Sequence, residues 1–219
     1  MKEGDFIRID FVGKISESDE IFDLTKESVA REKGIYNPNF KYGPVPVILG
    51  SHHVVRGLEN ALMKMKVSEK KKIIVKPEDA LGERKAELIR LIPLTEFKKH
   101  DIDPFPGMPI VQNNMRGRVL SVSGGRVRVD FNHPLAGKTL EYEVEIKEKI
   151  TTAKEKIIGI LELFLKFEKD EINVKIEKET LEIKIDKKLD VPKAIKKVIV
   201  DNVTKWVKNI KKVRFIEEF

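Results

Sequence analysis

Two segments that alternate apolar and polar residues constrain the fold of this chain more than any other feature. In residues 5–16, apolar side chains alternate with polar ones such as Arg8 and Asp10. In Leu140–Ile146, the apolar residues are separated by acidic ones. A period of two is typical of a β-strand with one buried face. We therefore expect the two segments to be strands of one sheet.

The residues between these segments predict further strands and two helices. Val47–Gly50 and residues 72–77 are short apolar runs of strand length. Over residues 54–65, the apolar side chains are spaced for one face of a helix. Thr25 is a candidate N-cap for a shorter, polar helix that stops at Gly34. Helices and strands mixed in this way predict an α+β fold.

The character of the chain changes at about Glu83, where prolines begin to accumulate. Two strand-like segments, Arg116–Ser123 and Arg126–Phe131, flank the pair Gly124-Gly125. A Gly-Gly pair allows the positive φ angles of a tight two-residue turn, so these segments predict a β-hairpin. We expect a compact, mostly-β insertion here.

A third pattern occupies residues 151–219. Helical periodicity over 151–165 is followed by a hairpin that turns at 178–180, a second helix over 192–208 and a final strand over 213–216. This order predicts an α-β-β-α-β unit. Because so small a unit buries little surface, we expect a homodimer through residues 151–219; the alternative is that its helices cover only their own sheet.

The residue types exclude several kinds of chemistry. The chain has no cysteine and four histidines, which leaves no thiolate metal site, thiol nucleophile or disulfide. It contains no dinucleotide-binding, P-loop or serine-hydrolase motif. The neighbouring His52 and His53 fit a loop that starts a helix better than a metal site. We expect no cofactor and no bound metal.

Charged residues make up 36% of the chain, and the net charge is +7. Acidic and basic residues are interleaved, which argues against a nucleic-acid partner and favours the mixed-charge surface typical of thermophilic proteins. No segment approaches the roughly 18 apolar residues of a membrane span, and the N-terminal residues show no apolar run. We expect a cytoplasmic protein with no membrane partner.

Six short motifs occur in a fixed order within residues 1–150. They are Asp10–Gly13, Phe22-Asp23, Val47–Gly50, Val54–Glu59, Pro77–Gly82 and Leu140–Glu145. In this order they resemble the FK506-binding-protein (FKBP) family of peptidyl-prolyl cis-trans isomerases. Within it, the chain is similar to the SlyD-like branch, with Phe131–Lys138 resembling the return from an inserted lobe, and to long archaeal members with an extra C-terminal unit.

The resemblance implies a fold and a division into domains. It implies an antiparallel half-barrel sheet wrapped on a short helix, formed by residues 1–84 and 132–150. An inserted chaperone (insert-in-flap) domain would occupy residues 85–131. The C-terminal α-β-β-α-β domain would occupy residues 151–219.

The resemblance also implies an isomerase site. Asp23, Phe22 and Tyr142 are the expected catalytic residues, with Asp23 acting electrostatically beside the twisting carbonyl. The expected substrate-binding residues are Phe11, Val54, Val55, Leu58 and Leu81, with the Val55 N–H holding a substrate carbonyl. By spacing alone, Phe22 and Tyr142 fit an ordinary sheet core better than a site, and Asp23 fits a turn equally well.

Three positions depart from the usual pattern of the family. Tyrosine is usual at Leu81, tryptophan is common at Leu58 and tyrosine is common at Phe11. These departures predict weaker binding of macrolide drugs and slower catalysis on short peptides. The histidine-rich tail of bacterial SlyD has no counterpart in Arg214–Phe219, so nickel handling is not expected.

Large apolar residues in the insertion are the expected contacts for unfolded or partly folded proline-containing polypeptides. They are Phe97, Ile102, Phe105, Met108, Val111 and Met115. The alternative is that they form the core of the lobe itself. The rival function is a non-catalytic holdase or a ribosome- or RNA-associated chaperone with a vestigial isomerase pocket, favoured by Leu81 and by basic stretches such as Lys70–Lys72.

Overall fold

The computed structural model describes residues 1–167, 171–186 and 189–217. Within these ranges the chain forms five α-helices and three β-sheets. The strands are β1 (Phe6–Ile15), β2 (Ile21–Leu24), β3 (Val45–Ile48), β4 (Lys70–Val75), β5 (Ile89–Pro93), β6 (Pro109–Gln112), β7 (Met115–Ser123), β8 (Arg126–Asp130), β9 (Leu140–Ile150), β10 (Ile172–Glu177), β11 (Thr180–Ile185) and β12 (Lys212–Glu217). The helices are α1 (Glu27–Glu32), α2 (Arg56–Lys64), α3 (Leu94–Lys98), α4 (Ala153–Phe164) and α5 (Lys193–Trp206).

The first sheet is antiparallel and has the order β2-β1-β9-β4, with β3 paired to the other part of β1. Its central pair joins β1 and β9 from Phe6 opposite Ile150 to Ile15 opposite Leu140. The alternation in the sequence therefore predicted both strands correctly. Strand β9 continues beyond Ile146 because the first residues of β1 supply its partners.

One face of this sheet packs on α2, which confirms the α+β fold with a curled sheet around a short helix. Leu58 and Leu62 of α2 are buried together with strand residues such as Ile9 and Val144. These apolar positions recur every three or four residues along α2, as the spacing predicted. The side chains of Arg56 and Lys64 lie on its outer face, whereas Glu59 is buried.

The predicted N-cap at Thr25 is wrong. The N-cap of α1 is Lys26, and no side chain there caps the helix. The Thr25 hydroxyl instead accepts a hydrogen bond from the Phe11 N–H at 2.9 Å and donates to Asp10 at 3.0 Å. Thr25 directly follows β2 and is buried against β1. Its hydroxyl therefore ties the end of β2 to β1 and does not cap a helix.

The second sheet lies within the insertion and has the antiparallel order β5-β8-β7-β6. The predicted hairpin joins β7 to β8, and Gly124 and Gly125 have φ angles of 54° and 72°. Two connecting segments, one containing Lys85 and the other Asn132, link this sheet to the first one. They are held together because the Asn132 side chain bonds both backbone groups of Lys85, at 2.8 and 3.0 Å.

The third sheet has the order β10-β11-β12, with β11 and β12 parallel, and completes the predicted α-β-β-α-β unit. Helix α4 begins with a side-chain N-cap: the Thr152 hydroxyl accepts from the Glu155 N–H at 3.2 Å and donates to the Glu155 carboxylate at 2.6 Å. No helix within the described ranges is long and apolar enough to cross a membrane.

The core of this unit extends into the first sheet, which the sequence did not indicate. Phe6, Ile48 and Ile150 are buried in the same cluster as the apolar faces of α4 and α5. Helix α4 approaches β3 closely at Gly159, where an added Cβ would lie 3.3 Å from Pro46. The helices therefore cover both their own sheet and one end of the first sheet.

Candidate active site

A β-bulge in β2 aims the two adjacent motif residues at the same neighbour. Gly13 of β1 pairs with Asp23, but Lys14 pairs with Ile21, so Phe22 is an extra residue in the ladder. An extra residue breaks the alternation of side chains and redirects them. As a result, the Phe22 ring and the Asp23 carboxyl both interact with Tyr142 of β9.

Three aromatic rings form the wall of this site. The centroid of the Tyr142 ring lies 5.7 Å from that of Phe22, with the planes nearly perpendicular at 85°. The Phe11 ring is tilted by 55° at a centroid distance of 6.1 Å. Edge-to-face pairs of this kind hold aromatic rings in defined orientations. The wall is therefore ordered before any substrate arrives.

Gly13 makes room for this wall, and the sequence analysis missed its role. A Cβ at residue 13 would lie 2.7 Å from Cζ of Phe22 and 3.3 Å from Cε1 of Tyr142. Only glycine leaves the space that the Phe22 ring occupies. The signal in the sequence was a single glycine inside a strand, which often marks a bulge or a close approach.

The start of α2 packs against the same apolar core. Leu58 is buried, while Val54 and Val55 are half-buried against the same core as the aromatic wall. Val55 is the N-cap of α2 and has an extended backbone, with φ −60° and ψ 146°. Among the described residues, no acceptor faces its N–H. A backbone donor thus remains available beside apolar side chains.

The buried carboxylate of Glu59 fixes the loop that leads into α2. It accepts hydrogen bonds from the N–H groups of Gly50 at 2.9 Å and His52 at 3.3 Å. Nδ1 of His52 also lies 3.3 Å from the carboxylate. His52 therefore packs against a carboxylate, and within the described ranges no group of three or more histidine and acidic side chains could hold a metal ion.

A third segment, residues 77–82, is tied to the start of α2. The Arg56 guanidinium lies 2.7 Å from Asp79 and donates to the Glu78 carbonyl at 3.0 Å. Gly57 permits this approach, because a Cβ there would lie 2.5 Å from the Val75 side chain. Leu81 follows in this segment and is 40% exposed, outside the cluster that joins the other predicted site residues.

The surroundings of the site change its acid–base properties. Burial raises the pKa of the Asp23 carboxyl above its ordinary value, against the opposing effect of a hydrogen bond from the Leu24 backbone. The residue keeps one face open to solvent, so the effect comes from the apolar neighbours on its other side. Burial, and secondarily the charge of Asp23, raises the pKa of Tyr142 to about 12.

Tyr142 therefore stays protonated at any physiological pH. Among the described residues its hydroxyl has no hydrogen-bond partner, and no fully buried side-chain oxygen or nitrogen lacks one. It follows that the hydroxyl oxygen is not fully buried. The structure thus places Phe11, Phe22 and Asp23 beside Tyr142, and Leu58, Val54 and Val55 belong to or pack against the same apolar core.

Comparison with known proteins identifies the family of the chain. The chain is 32% identical over 148 residues to the short-type peptidyl-prolyl cis-trans isomerase of Methanocaldococcus jannaschii, an alignment that covers 68% of this chain and 93% of the relative. The chain belongs to the FKBP family of peptidyl-prolyl cis-trans isomerases. It is an isomerase of prolyl peptide bonds, and its substrates are proline-containing polypeptides.

Other comparisons identify the branch of this FKBP-type isomerase. The chain is 27% identical over 141 residues to the FKBP-type isomerase SlyD of Helicobacter pylori, covering 61% of this chain and 75% of the relative. Family models described as "FKBP26, IF domain" and "FKBP26_C-terminal" match residues 90–135 and 153–219. The isomerase is therefore SlyD-like, with both an insertion and a C-terminal unit of recognised kinds.

The predicted client-binding residues of the isomerase are divided between core and surface. Phe97 is only 7% exposed and lies in the core of the insertion, the alternative that the sequence left open, so little of its surface is available to a client. Met108 and Met115 are half-buried against that core. Ile102, Phe105 and Val111 are exposed, the last two at 60% and 72%.

Four of these residues meet in one groove on the insertion. The groove has a volume of about 340 Å³ and runs between α3 and the edge strand β6. Its lining includes Phe97, Ile102, Met108 and Val111. Phe105 and Met115 lie outside it.

Proposed function

We propose that the FKBP-type isomerase twists X-Pro bonds in the hollow between the aromatic wall and the start of α2. The observation that carries this proposal is the bulge that turns Phe22 and Asp23 together toward Tyr142. Planarity of the peptide bond comes from resonance that separates charge, and rotation costs about 18–20 kcal/mol. An apolar site disfavours the charge-separated planar form and thereby lowers that barrier.

Each group in the hollow has a proposed role. The aromatic wall and Leu58 hold the proline ring away from water. The free N–H of Val55 binds a substrate carbonyl, and the Tyr142 hydroxyl, which stays protonated, is a second donor. Asp23 lies beside the rotating amide and stabilises its changing dipole without transferring a proton. No covalent intermediate is needed.

The role of Asp23 can be tested by replacing it with alanine. We expect kcat/KM for a prolyl tetrapeptide, measured in a protease-free assay of cis/trans exchange, to fall about tenfold, which corresponds to about 1.4 kcal/mol of transition-state stabilisation. Glu20→Ala, at an exposed acid just before β2, is the matched control. Unchanged turnover in the Asp23 variant would exclude the electrostatic role.

We infer that the insertion holds unfolded clients near this site. Strand β6 is the last strand of its sheet, so its outer main-chain groups are free to pair with an extended polypeptide. The adjoining apolar groove would take the side chains of that polypeptide. The two connecting segments are hydrogen-bonded to each other between Lys85 and Asn132, which keeps the insertion next to the first sheet. A client bound to the insertion is therefore at high local concentration near the isomerase site.

This inference separates two activities. Ile102→Ser combined with Val111→Ser should leave tetrapeptide turnover unchanged but slow the catalysed refolding of a protein limited by proline isomerisation. Ile74→Ser, at an exposed residue of β4, removes an apolar side chain outside the insertion and should affect neither. Equal losses in both assays would contradict a separate client-holding role.

The rival RNA-associated function gains little from the basic stretch at Lys70–Lys72. Lys70 lies 3.6 Å from Glu145, and Lys72 lies 2.6 Å from Glu141, so these charges are paired across β4 and β9. The measured exchange rate of a prolyl peptide distinguishes the enzyme from a pure holdase.

Dimerisation through residues 151–219 stays a prediction. The apolar faces of α4 and α5 are used within the chain, so a dimer would use other surfaces such as the edges of the third sheet. Sedimentation equilibrium at micromolar concentration would decide it, since a monomeric mass excludes the dimer.

A further inference from the structure

The arginines of this chain are concentrated in the insertion. The chain otherwise uses lysine as its main cation, yet six of its ten arginines lie between residues 84 and 128. They are Arg84, Arg90, Arg116, Arg118, Arg126 and Arg128. Arginine differs from lysine in presenting a rigid, planar fork of donors that matches a carboxylate or phosphate. The insertion therefore carries most of the side chains of this chain that could bind a carboxylate or phosphate through two hydrogen bonds.

Four of these arginines share one open face of the second sheet. In β8, Val127 and Val129 are buried in the core, so Arg126 and Arg128 point to the opposite side. The ladder register places Arg118 of β7 opposite Asp130, and therefore on that same side. Arg116, two residues earlier in β7, shares its orientation. We call this side of the sheet the arginine face.

The four arginines have no partner among the residues that the structure describes. No ion pair or hydrogen bond joins Arg116, Arg118, Arg126 or Arg128 to any described residue. The other two arginines of the insertion are used differently: Arg84 pairs with Asp130, and Arg90 lies over the Phe131 ring at 5.5 Å. Asp130, the one acid on this face among the described residues, is thus already paired with Arg84, and the face has a net positive charge.

Exposed apolar side chains border the same face on both edges. Leu91 of β5 pairs with Arg128 in the ladder and is 61% exposed. Val111 of β6 pairs with Arg116 and is the exposed valine that also borders the groove. Serine residues fill the intervening positions, with Ser121 opposite Arg128. The surface therefore combines guanidinium groups, hydroxyls and aliphatic side chains.

We propose that the arginine face docks extended, acidic polypeptide segments that carry apolar residues among their carboxylates. Successive arginines on one strand are two residues apart, or about 6.6 Å, which is also the spacing of alternate side chains in an extended partner. Each guanidinium can bind a carboxylate through two hydrogen bonds. The aliphatic borders then contact the intervening apolar residues.

The composition of the face favours a polypeptide over RNA. Proteins that bind single-stranded nucleic acid combine positive charge with aromatic side chains on which bases stack. The arginine face carries no aromatic side chain, whereas Leu91 and Val111 would gain nothing from a phosphate backbone. The aliphatic side chains and the arginines are used together only by a partner that is both acidic and apolar.

This inference rests on the proposed client-holding role of the insertion and extends it to a second surface. The groove lies on the α3 side of the sheet and the arginine face on the other side. The groove would select apolar segments, and the arginine face would select acidic ones. Clients rich in both would be retained best.

The test uses the full chain and fluorescein-labelled peptides of twelve residues, measured by fluorescence anisotropy at 50 mM salt. One peptide alternates glutamate with valine and threonine, a second has lysine in place of glutamate, and a third has serine. A labelled oligouridylate of twelve nucleotides is the fourth probe. The variant is Arg126→Gln with Arg128→Gln. The control, Lys193→Gln with Lys197→Gln, removes two exposed charges from α5.

We expect the glutamate peptide to bind about tenfold more tightly than the lysine peptide. The arginine variant should lose about tenfold in affinity for the glutamate peptide and none for the serine peptide, while the control variant keeps both affinities. If the arginine variant binds the glutamate peptide as the unchanged protein does, the proposal is wrong. It is also overturned if the oligouridylate binds more tightly than the glutamate peptide and depends on the same arginines.

The serine peptide separates this proposal from the one on which it rests. If the serine peptide fails to bind while the glutamate peptide still binds through Arg126 and Arg128, the apolar groove is excluded and the arginine face stands. If the serine peptide binds and the arginine variant has no effect on any peptide, the groove stands and the arginine face is excluded. Circular dichroism of both variants checks that the sheet is intact.

Discussion

Replacing Gly13 with alanine tests whether the aromatic wall sets the activity of the isomerase. The new Cβ would lie 2.7 Å from Cζ of Phe22, about 1 Å closer than a relaxed carbon contact of roughly 3.5–4.0 Å. The backbone at residue 13 needs no positive φ, so the strand itself tolerates alanine. The Phe22 ring, whose far end lies against Gly13, must move away and weaken its contact with Tyr142.

The cost to stability and the cost to activity should differ. Because the clash involves the end of a side chain, we expect the lower part of the overpacking range, about 1 kcal/mol, or roughly 2–4 °C in Tm for a chain of this size. An aromatic pair contributes about 0.5–1.5 kcal/mol, so losing the orientation of Phe22 should lower kcat/KM by roughly twofold to tenfold. Protease-free exchange of a prolyl tetrapeptide measures the second effect.

Gly117→Ala in β7 is the matched control. Its Cβ would lie 2.7 Å from the Phe131 ring and 3.0 Å from the Asp130 carbonyl, an equal clash far from the hollow. It should destabilise the protein at least as much, yet leave tetrapeptide turnover unchanged. The reasoning is refuted if both variants lose activity equally, or if Gly13→Ala keeps full activity.

Three further predictions concern single groups of the site. Folding raises the pKa of Asp23 above 3.8, so just above that pH the folded state binds more protons than the unfolded state, and the unchanged protein loses stability as the pH rises. Unfolding measurements should therefore show that Asp23→Asn becomes more stable relative to the unchanged protein between about pH 3.5 and pH 6. A difference that stays constant over this range would contradict the shift. Because the pKa of Tyr142 is about 12, the phenol is protonated at both pH 7 and pH 10. Tyr142→Phe should therefore lower kcat/KM roughly threefold to tenfold, and by the same factor at both pH values. A smaller decrease at pH 10 than at pH 7 would mean that the phenol ionises below pH 10. Glu59→Leu should lower the free energy of unfolding by about 1–3 kcal/mol, because the Gly50 N–H loses its acceptor. Glu59→Gln keeps an acceptor and should lower it less. Equal decreases would indicate that the charge, rather than the acceptor, holds the loop.

The sequence predicted the elements well because their signals are local. Alternation identified β1 and β9, and the Gly-Gly pair identified the hairpin of β7 and β8. The failed N-cap at Thr25 has a nonlocal cause. The Thr25 hydroxyl could have accepted from a backbone N–H at the start of α1. It accepts instead from the Phe11 N–H of β1, a partner that is distant in sequence.

Several parts of the site had only a weak signal in the sequence. Gly13 and Gly57 were visible only as glycines inside larger motifs, and nothing indicated which side chain each would meet. Burial of Glu59 could not be predicted either, since glutamate is usually exposed and its partners belong to a loop rather than to the helix that carries it.

The amino-acid sequence by itself determined the order of helices and strands, the interruption of one sheet by another, and the family of the chain, since periodicity and short motifs are written along the backbone. Only the tertiary structure decided which side chains of the insertion are buried, that α4 shares a core with the first sheet, and that four arginines stand unpaired on one face. These properties depend on which residues distant in sequence meet, and on the register in which strands pair. A shift of one residue in β8 would have buried the arginines and exposed the valines.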